Sequence, residues 1–159
     1  MIDDYYLIRS HFAEYVTKCL DERDIRVWYA AYYSETDETT YRRYLKGARL
    51  PIIRILIKTA DLLECTVNDL LGYERVDIPH HERSYDSGLD TKHVTKYMAE
   101  QVYRRMEELG MSVEELANKA GISHYSVKEL GNSRSFVNTS TLVELCLALD
   151  CIPSELLGY

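Results

Sequence analysis

The chain has 159 residues and a formal net charge of −7, and 46% of its residues are hydrophobic and 28% charged. This balance is that of a folded globular protein, and the 7 glycines and 3 prolines exclude collagen-like and low-complexity chains. No apolar run approaches the roughly 20 residues that cross a membrane, and the first residues lack the basic and apolar regions of a secretory signal. We therefore expect a cytoplasmic protein without membrane contact.

The sequence repeats itself. LECTVNDLLGY ends at Tyr73 and LDCIPSELLGY ends at Tyr159, which is 86 residues later. The same offset aligns residues 12–73 with residues 98–159 without a gap, and about 13 of the 62 aligned positions are identical. We predict two modules, residues 1–73 and 91–159, joined by a linker at 74–90 that is rich in turn-forming and charged residues.

In the first module, apolar residues at helical spacing predict helix one from Ile8 to Leu20. Helix two is expected from Val27 to Tyr33, and Asp37 is the predicted cap of helix three, ETTYRRYL. Pro51 is expected to begin helix four, which continues to residue 63, and residues 67–71 form a short closing helix.

The second module follows the same plan. A stripe from Val94 to Leu109 predicts helix one. Ser112 and Glu115 form a capping box that begins helix two, and Gly121 ends it. Helices three, four and five are then expected at residues 124–130, 139–149 and 153–157. With no strand pattern in either module, we predict an all-α fold with five helices in each module.

Residues 111–134 resemble the helix-turn-helix of the Cro/CI-type, lambda-repressor-like domains. The family pattern is carried by a polar cap, an acidic pair, Leu-Ala, a turn glycine, an aliphatic residue and a serine, here Ser112, Glu114, Glu115, Leu116, Ala117, Gly121, Ile122 and Ser123. Residues 43–71 are similar to the loop, helix four and helix five of the same family. The resemblance implies two tandem five-helix helix-turn-helix modules joined by a linker.

The resemblance also implies which residues face double-stranded DNA. In the first module they are Glu38, Thr39, Arg42 and Lys46, and in the second they are His124, Tyr125, Lys128 and Asn132, with Arg134 in the loop that follows. The segment from Thr39 to Ala60 contains six basic residues and no acidic residue. Arg42 is expected to pair with a guanine, and Arg43 or Arg49 to hold a phosphate. About six phosphate contacts would give a salt slope near −5.

These features predict a sequence-specific DNA-binding transcriptional regulator that acts as a homodimer and is of phage or mobile-element origin. The alternative is a protein-binding inhibitor or adaptor that reuses the fold, for example an inhibitor of a bacterial defence nuclease. The acidic net charge, the 14 tyrosines and the valines Val27 and Val113, where the family often has glutamine, favour this alternative. Whether the second module contacts DNA, forms the dimer or binds a partner stays open, as does a division of these tasks between the modules.

No catalytic or cofactor-binding pattern stands out. The chain has neither a glycine-rich phosphate loop nor an HExxH motif, and its four cysteines lack CxxC spacing. His80, His81 and Glu82 are the only candidates for weak metal binding, and we expect them to bind none. The sequence therefore predicts no enzyme activity, no cofactor and no metal site, with cysteines that fill apolar positions.

Overall fold

The computed structural model describes residues 2–73, 91–132 and 137–159, with only the backbone described for residues 2–4. All regular secondary structure within these ranges is helical, which confirms the predicted all-α fold. The chain divides into two compact units, Met1–Val76 (unit 1) and Asp77–Tyr159 (unit 2). The predicted linker, including His80, His81 and Glu82, lies outside the described residues, and so does Arg134.

Each unit contributes five of the helices that the structure describes. Those of unit 1 are α1 (Ile2–Glu22), α2 (Val27–Tyr33), α3 (Glu38–Leu45), α4 (Ile53–Leu62) and α5 (Val67–Leu71). Those of unit 2 are α6 (Thr91–Leu109), α7 (Val113–Ala120), α8 (His124–Lys128), α9 (Thr139–Leu149) and α10 (Pro153–Leu157).

Several predicted helix boundaries are wrong, since α1 extends beyond the predicted Ile8–Leu20 at both ends and α4 and α8 are shorter than predicted. Helix α4 begins at Ile53 and not at Pro51, because the backbone of Ile52 is extended (φ −67°, ψ 158°) and serves as the N-cap. Helix α8 ends at Lys128, two residues early, because Glu129 leaves the helical conformation (φ −90°, ψ 1°). The earlier end makes α8 a short helix of 5 residues.

Both units build their cores from the same positions, 86 residues apart. In unit 1, α1 packs on α3 and α5, and α2 packs on α3 and α4. Phe12 and Leu56 are fully buried there. Met98 and Leu142 take the corresponding positions in unit 2 and are also buried. Except for the first helix, each helix of unit 2 starts 86 residues after its counterpart in unit 1.

The core of unit 1 contains a polar cluster that unit 2 lacks. Tyr41, Thr59 and Ser34 are fully buried, and the hydroxyl oxygens of Tyr41 and Thr59 lie 2.9 Å apart in a hydrogen bond. Ser34 Oγ lies 3.5 Å from Thr59 Oγ1. The three positions 86 residues later hold the apolar residues Val127, Leu145 and Ala120, all buried. Unit 1 can bury Tyr41, where unit 2 has Val127, because Thr59 on α4 forms a hydrogen bond with the tyrosine hydroxyl group.

Left-handed backbone conformations also recur at this spacing. The pairs are Asp24 and Gly110, Glu35 and Gly121, Glu64 and Asp150, and Gly72 and Gly158, all with φ between 50° and 81°. A non-glycine residue in this region costs about 1–2 kcal/mol. Unit 1 thus makes the same turns as unit 2, although Asp24 and Glu35 stand where unit 2 has glycine.

None of the helices in the described ranges is both long and apolar enough to span a bilayer.

Candidate nucleic-acid interface

Helices α7 and α8 of unit 2 form a helix-turn-helix whose ends are fixed by local hydrogen bonds. Ser112 Oγ accepts from the backbone N–H of Glu115 at 3.1 Å, and the Glu115 carboxylate accepts from the backbone N–H of Ser112 at 3.4 Å. Gly121 ends α7 in the left-handed conformation (φ 67°). Ser123 Oγ then accepts from the backbone N–H of Ser126 at 3.0 Å, which caps α8. Ser112, Glu115 and Gly121 therefore have the cap and turn roles that the sequence predicted for them.

One side of α8 is anchored in the core and the other faces solvent. Val127 is fully buried, and the Tyr103 hydroxyl donates to its backbone carbonyl oxygen at 3.1 Å. On the opposite side, His124, Tyr125 and Lys128 are exposed, and Tyr125 is exposed to 71%. Asn132, in the turn that follows, is exposed as well. The structure therefore brings the three predicted α8 side chains together on one free surface, with Asn132 beyond its end.

Helix α3 occupies the corresponding place in unit 1. Asp37 caps it, since its carboxylate accepts from both the backbone N–H and the hydroxyl of Thr40 at 2.7 Å. These hydrogen bonds lower the pKa of Asp37 below its ordinary value. Tyr41 and Tyr44 point into the core, while the predicted contact residues Glu38, Thr39, Arg42 and Arg43 are exposed.

The six basic residues between Thr39 and Ala60 have different surroundings. Arg42 pairs with Glu38 at 2.7 Å, and Arg54 pairs with Glu35 at 3.0 Å. The Arg49 guanidinium lies 5.5 Å from the centre of the Tyr44 ring, and Lys58 Nζ lies 5.8 Å from that of Tyr33. Arg43 and Lys46 are exposed, and Lys46 lines an open groove against α1. The predicted basic segment is therefore not one continuous cationic face.

The ion pair between Arg42 and Glu38 joins two of the residues that were predicted to face DNA. Both side chains are about half exposed. An exposed pair at this helical spacing contributes only about 0.3–0.5 kcal/mol. Arg42 can therefore exchange Glu38 for a phosphate or a guanine at little cost.

Sequence analysis missed a row of aromatic residues on α2. Trp28, Tyr29 and Tyr32 are exposed to 59%, 41% and 76%, and the half-buried Tyr33 lies beside them. At the corresponding positions of α7 stand Glu114, Glu115, Asn118 and Lys119, which are all exposed and polar. The sequence WYAAYY carries the signal, because the two alanines take the buried side of the helix and leave the aromatic residues outside.

The cysteines are all free thiols. Cys65 and Cys146 are buried, whereas Cys19 and Cys151 are partly exposed. Burial raises the pKa of Cys65 to about 12 and also raises that of Cys146. Across the described ranges, no three His, Cys, Asp or Glu side chains come together in a way that could hold a metal ion.

Comparison with known protein families gives a match within unit 2. Residues 101–159 match the model of the Cro/C1-type HTH DNA-binding domain. The match includes both helices of the helix-turn-helix, and it confirms for unit 2 the resemblance predicted from the sequence. One copy is matched, and it carries the exposed α8 surface. No curated protein and no solved structure matches the chain.

Proposed function

We propose that this protein is a cytoplasmic, sequence-specific transcriptional regulator that reads double-stranded DNA through α8 of unit 2. The observation that carries the proposal is the match of residues 101–159 to a DNA-binding domain. In this class of domain the second helix of the helix-turn-helix enters the major groove with its N-terminal residues at the base edges.

The exposed side of α8 suits this task. His124 and Tyr125 stand at its N-terminal end, where they can reach base edges, and Lys128 follows one turn later. A histidine can donate to the acceptors of guanine, and a tyrosine ring can contact a thymine methyl group. Lys128 and Asn132 are assigned to phosphate oxygens, which fix the register of the helix on the duplex.

We further propose that unit 1 is a second copy of the same domain. Its support is the shared placement of helices and left-handed residues at a spacing of 86 residues. In this copy Thr39 and Arg42 would reach bases, with Arg43, Lys46 and Arg49 holding phosphates. Glu38 would accept from a cytosine amino group once Arg42 leaves it.

A homodimer completes the proposal, because such regulators bind two half-sites about 34 Å apart. Each of the two chains would then place its α8 in one half-site of a palindromic operator.

The test is binding of the purified full chain to a pool of genomic fragments, including its own upstream region, in a salt series. We expect enrichment of one short palindromic site. Lys128→Ala should weaken binding and reduce the salt slope by about 1, as expected for one lost phosphate contact. Lys92→Ala, which removes the same charge from an exposed position on α6, should leave the binding affinity and the salt slope unchanged.

The contribution of unit 1 is tested separately. Replacing Arg42 and Arg43 together by alanine should weaken binding and reduce the salt slope by about 1, since Arg43 is assigned to a phosphate and Arg42 to a base. The control replaces Lys92 and Lys96, which are also exposed and carry the same total charge. Equal slopes for the two double variants would contradict the assignment of unit 1. Absence of any enriched site would contradict the regulator and favour the protein-binding adaptor.

A further inference from the structure

The side chains Trp28, Tyr29, Tyr32 and Tyr33 of α2 form what we name the aromatic strip. We propose that it binds unpaired bases of single-stranded nucleic acid by stacking. This is a second binding activity, located in unit 1, and it does not depend on duplex recognition by unit 2.

Three rings of the strip, those of Trp28, Tyr29 and Tyr33, lie beside one another. The Trp28 and Tyr29 ring centres are 5.9 Å apart, and those of Tyr29 and Tyr33 are 6.4 Å apart. Lys58 continues the row with its ammonium group 5.8 Å from the Tyr33 ring centre. Tyr32, the most exposed ring of the strip, adds a further surface. The result is a row of aromatic surfaces with a cation at one end.

Packing of α2 does not bury Trp28, Tyr29 and Tyr32, whereas Tyr33 is half-buried and donates a hydrogen bond to Asp61 on α4. The buried side of α2 is formed by Ala30 and Ala31, as that of α7 is formed by Leu116 and Ala117. Unit 2 therefore forms the same fold with polar residues on the outer side of α7, the helix that corresponds to α2. Large exposed aromatic groups that the core does not need indicate a binding surface.

The surroundings of the strip favour a ligand that carries phosphates. Helix α2 packs against α3 and α4, and the segment from Thr39 to Ala60 that runs through them has six basic residues and no acidic residue. Glu35, which follows α2, pairs with Arg54, and Asp61 accepts a hydrogen bond from the Tyr33 hydroxyl, while Lys58 lies over the Tyr33 ring. Aromatic side chains beside cations are the combination with which proteins hold single strands without regard to sequence.

The size of the strip also favours bases over a protein surface. At their exposed fractions, the three exposed rings present about 350 Å² in total, taking about 200 Å² for each full side chain. A stable protein interface buries about 800 Å² on each partner, more than twice as much. Seven helical residues span about 10 Å, which is long enough for a few unpaired bases.

The experiment uses the emission of Trp28, the single tryptophan of the chain. The full-length protein is titrated with a 15-nucleotide oligothymidine at low salt. We expect saturable quenching that weakens as salt is added, because stacking brings a base onto the indole ring and phosphates meet the cations.

Tyr32→Ala should lower the affinity for the oligothymidine about tenfold or more. Tyr6→Ala, which removes an exposed tyrosine from α1, should leave the affinity unchanged. Circular dichroism and a thermal melt check that both variants are folded, as expected for exposed positions. Duplex binding by unit 2 should be unchanged in Tyr32→Ala, so failure of this proposal is distinguishable from failure of the proposed function.

Three results would overturn the proposal. The first is the absence of quenching by the oligothymidine in a folded protein. The second is equal quenching by a 15-base-pair duplex, which has no unpaired bases. The third is a change in Trp28 emission on raising the protein concentration alone, which would assign the strip to contact with a second copy of the chain.

Discussion

Tyr41 shows how one residue in the core of unit 1 depends on another. Its hydroxyl group is buried and bonded to Thr59 Oγ1 at 2.9 Å. A buried hydroxyl group without a partner costs about 1–3 kcal/mol. At the same positions of unit 2 both residues are apolar, Val127 and Leu145, so neither unit buries a hydroxyl group of this pair without a partner.

We therefore expect Thr59→Val to lower the free energy of unfolding by about 1–3 kcal/mol. The double variant Tyr41→Phe/Thr59→Val should recover most of this loss, since neither hydroxyl group remains. Urea unfolding measures the free energy of unfolding of the single and the double variant. Thr17→Val, on the exposed side of α1, is the control. A double variant that is less stable than Thr59→Val would contradict this account.

The same residue gives unit 1 a dependence on alkaline pH. Burial raises the pKa of Tyr41 from 10.0 to about 12, although hydrogen bonds from Thr59 and Ser34 oppose the shift. Since the folded-state pKa lies above the unfolded value, the stabilisation is complete below pH 10 and is lost as the pH rises from about 10 to 12.

Stability of the wild type should thus fall more steeply than that of Tyr41→Phe between about pH 10 and pH 12. The difference between the two unfolding curves isolates Tyr41, because every other tyrosine is present in both proteins. Parallel curves would show that Tyr41 titrates with its ordinary pKa.

Among the elements, the turns of unit 1 carry strain that the turns of unit 2 largely avoid. Glu64 follows α4 with φ 53°, a conformation that glycine adopts without cost. Replacement of Glu64 by glycine removes about 1–2 kcal/mol of backbone strain from the folded state. Glycine also gives the unfolded chain more conformational entropy, which opposes this gain by about 0.5–1 kcal/mol.

We expect Glu64→Gly to raise the free energy of unfolding by about 0.5–1 kcal/mol. The control Glu14→Gly, in the right-handed interior of α1, should lower it by a similar amount, because there glycine only adds entropy to the unfolded chain. Thermal melts of the two variants should shift in opposite directions, and shifts of the same sign would contradict the assigned strain.

Most helix ends could be predicted because cap residues mark them in the sequence. Ser112, Glu115 and Gly121 are an example, since each has a local hydrogen-bonding or conformational preference. The left-handed turn at Glu35 could not be predicted, because glutamate carries no preference for it and only the packing of α2 and α3 imposes it. The exposure of Trp28 was missed although the sequence carries a signal for it, because Ala30 and Ala31 take the buried side of α2.

For the whole molecule, each unit has its own core. Leu56 is central to unit 1 and Leu142 holds the corresponding position in unit 2, and both are fully buried. Leucine to alanine changes at such sites cost about 2–5 kcal/mol.

Hydrogen exchange of the full chain, followed by mass spectrometry, should therefore respond to these leucines locally. Leu56→Ala should speed exchange in α1 to α5 and leave α6 to α10 unchanged, and Leu142→Ala should do the reverse. Faster exchange in both units after either change would mean that the units unfold together.

Recognition of the DNA-binding class from sequence succeeded for unit 2 because that unit keeps Gly121 and the polar outer side of α7. In unit 1 the same places hold Glu35 and the aromatic strip, so the family pattern weakens. The predicted contact residues in both units remain predictions until binding is measured.

The constant spacing of 86 residues also has a genetic consequence. Unequal crossing-over between corresponding codons of the two halves would delete 86 codons and preserve the reading frame. The product would be 73 residues long and would retain one set of five helices, because the helices after the first start at matching positions in the two units. The reciprocal product would carry three such sets. A gene of this form can therefore lose or gain the coding sequence of a whole module in one in-frame recombination event, and a junction outside residues 41–59 keeps the Tyr41–Thr59 pair, or the apolar pair at the same positions, intact.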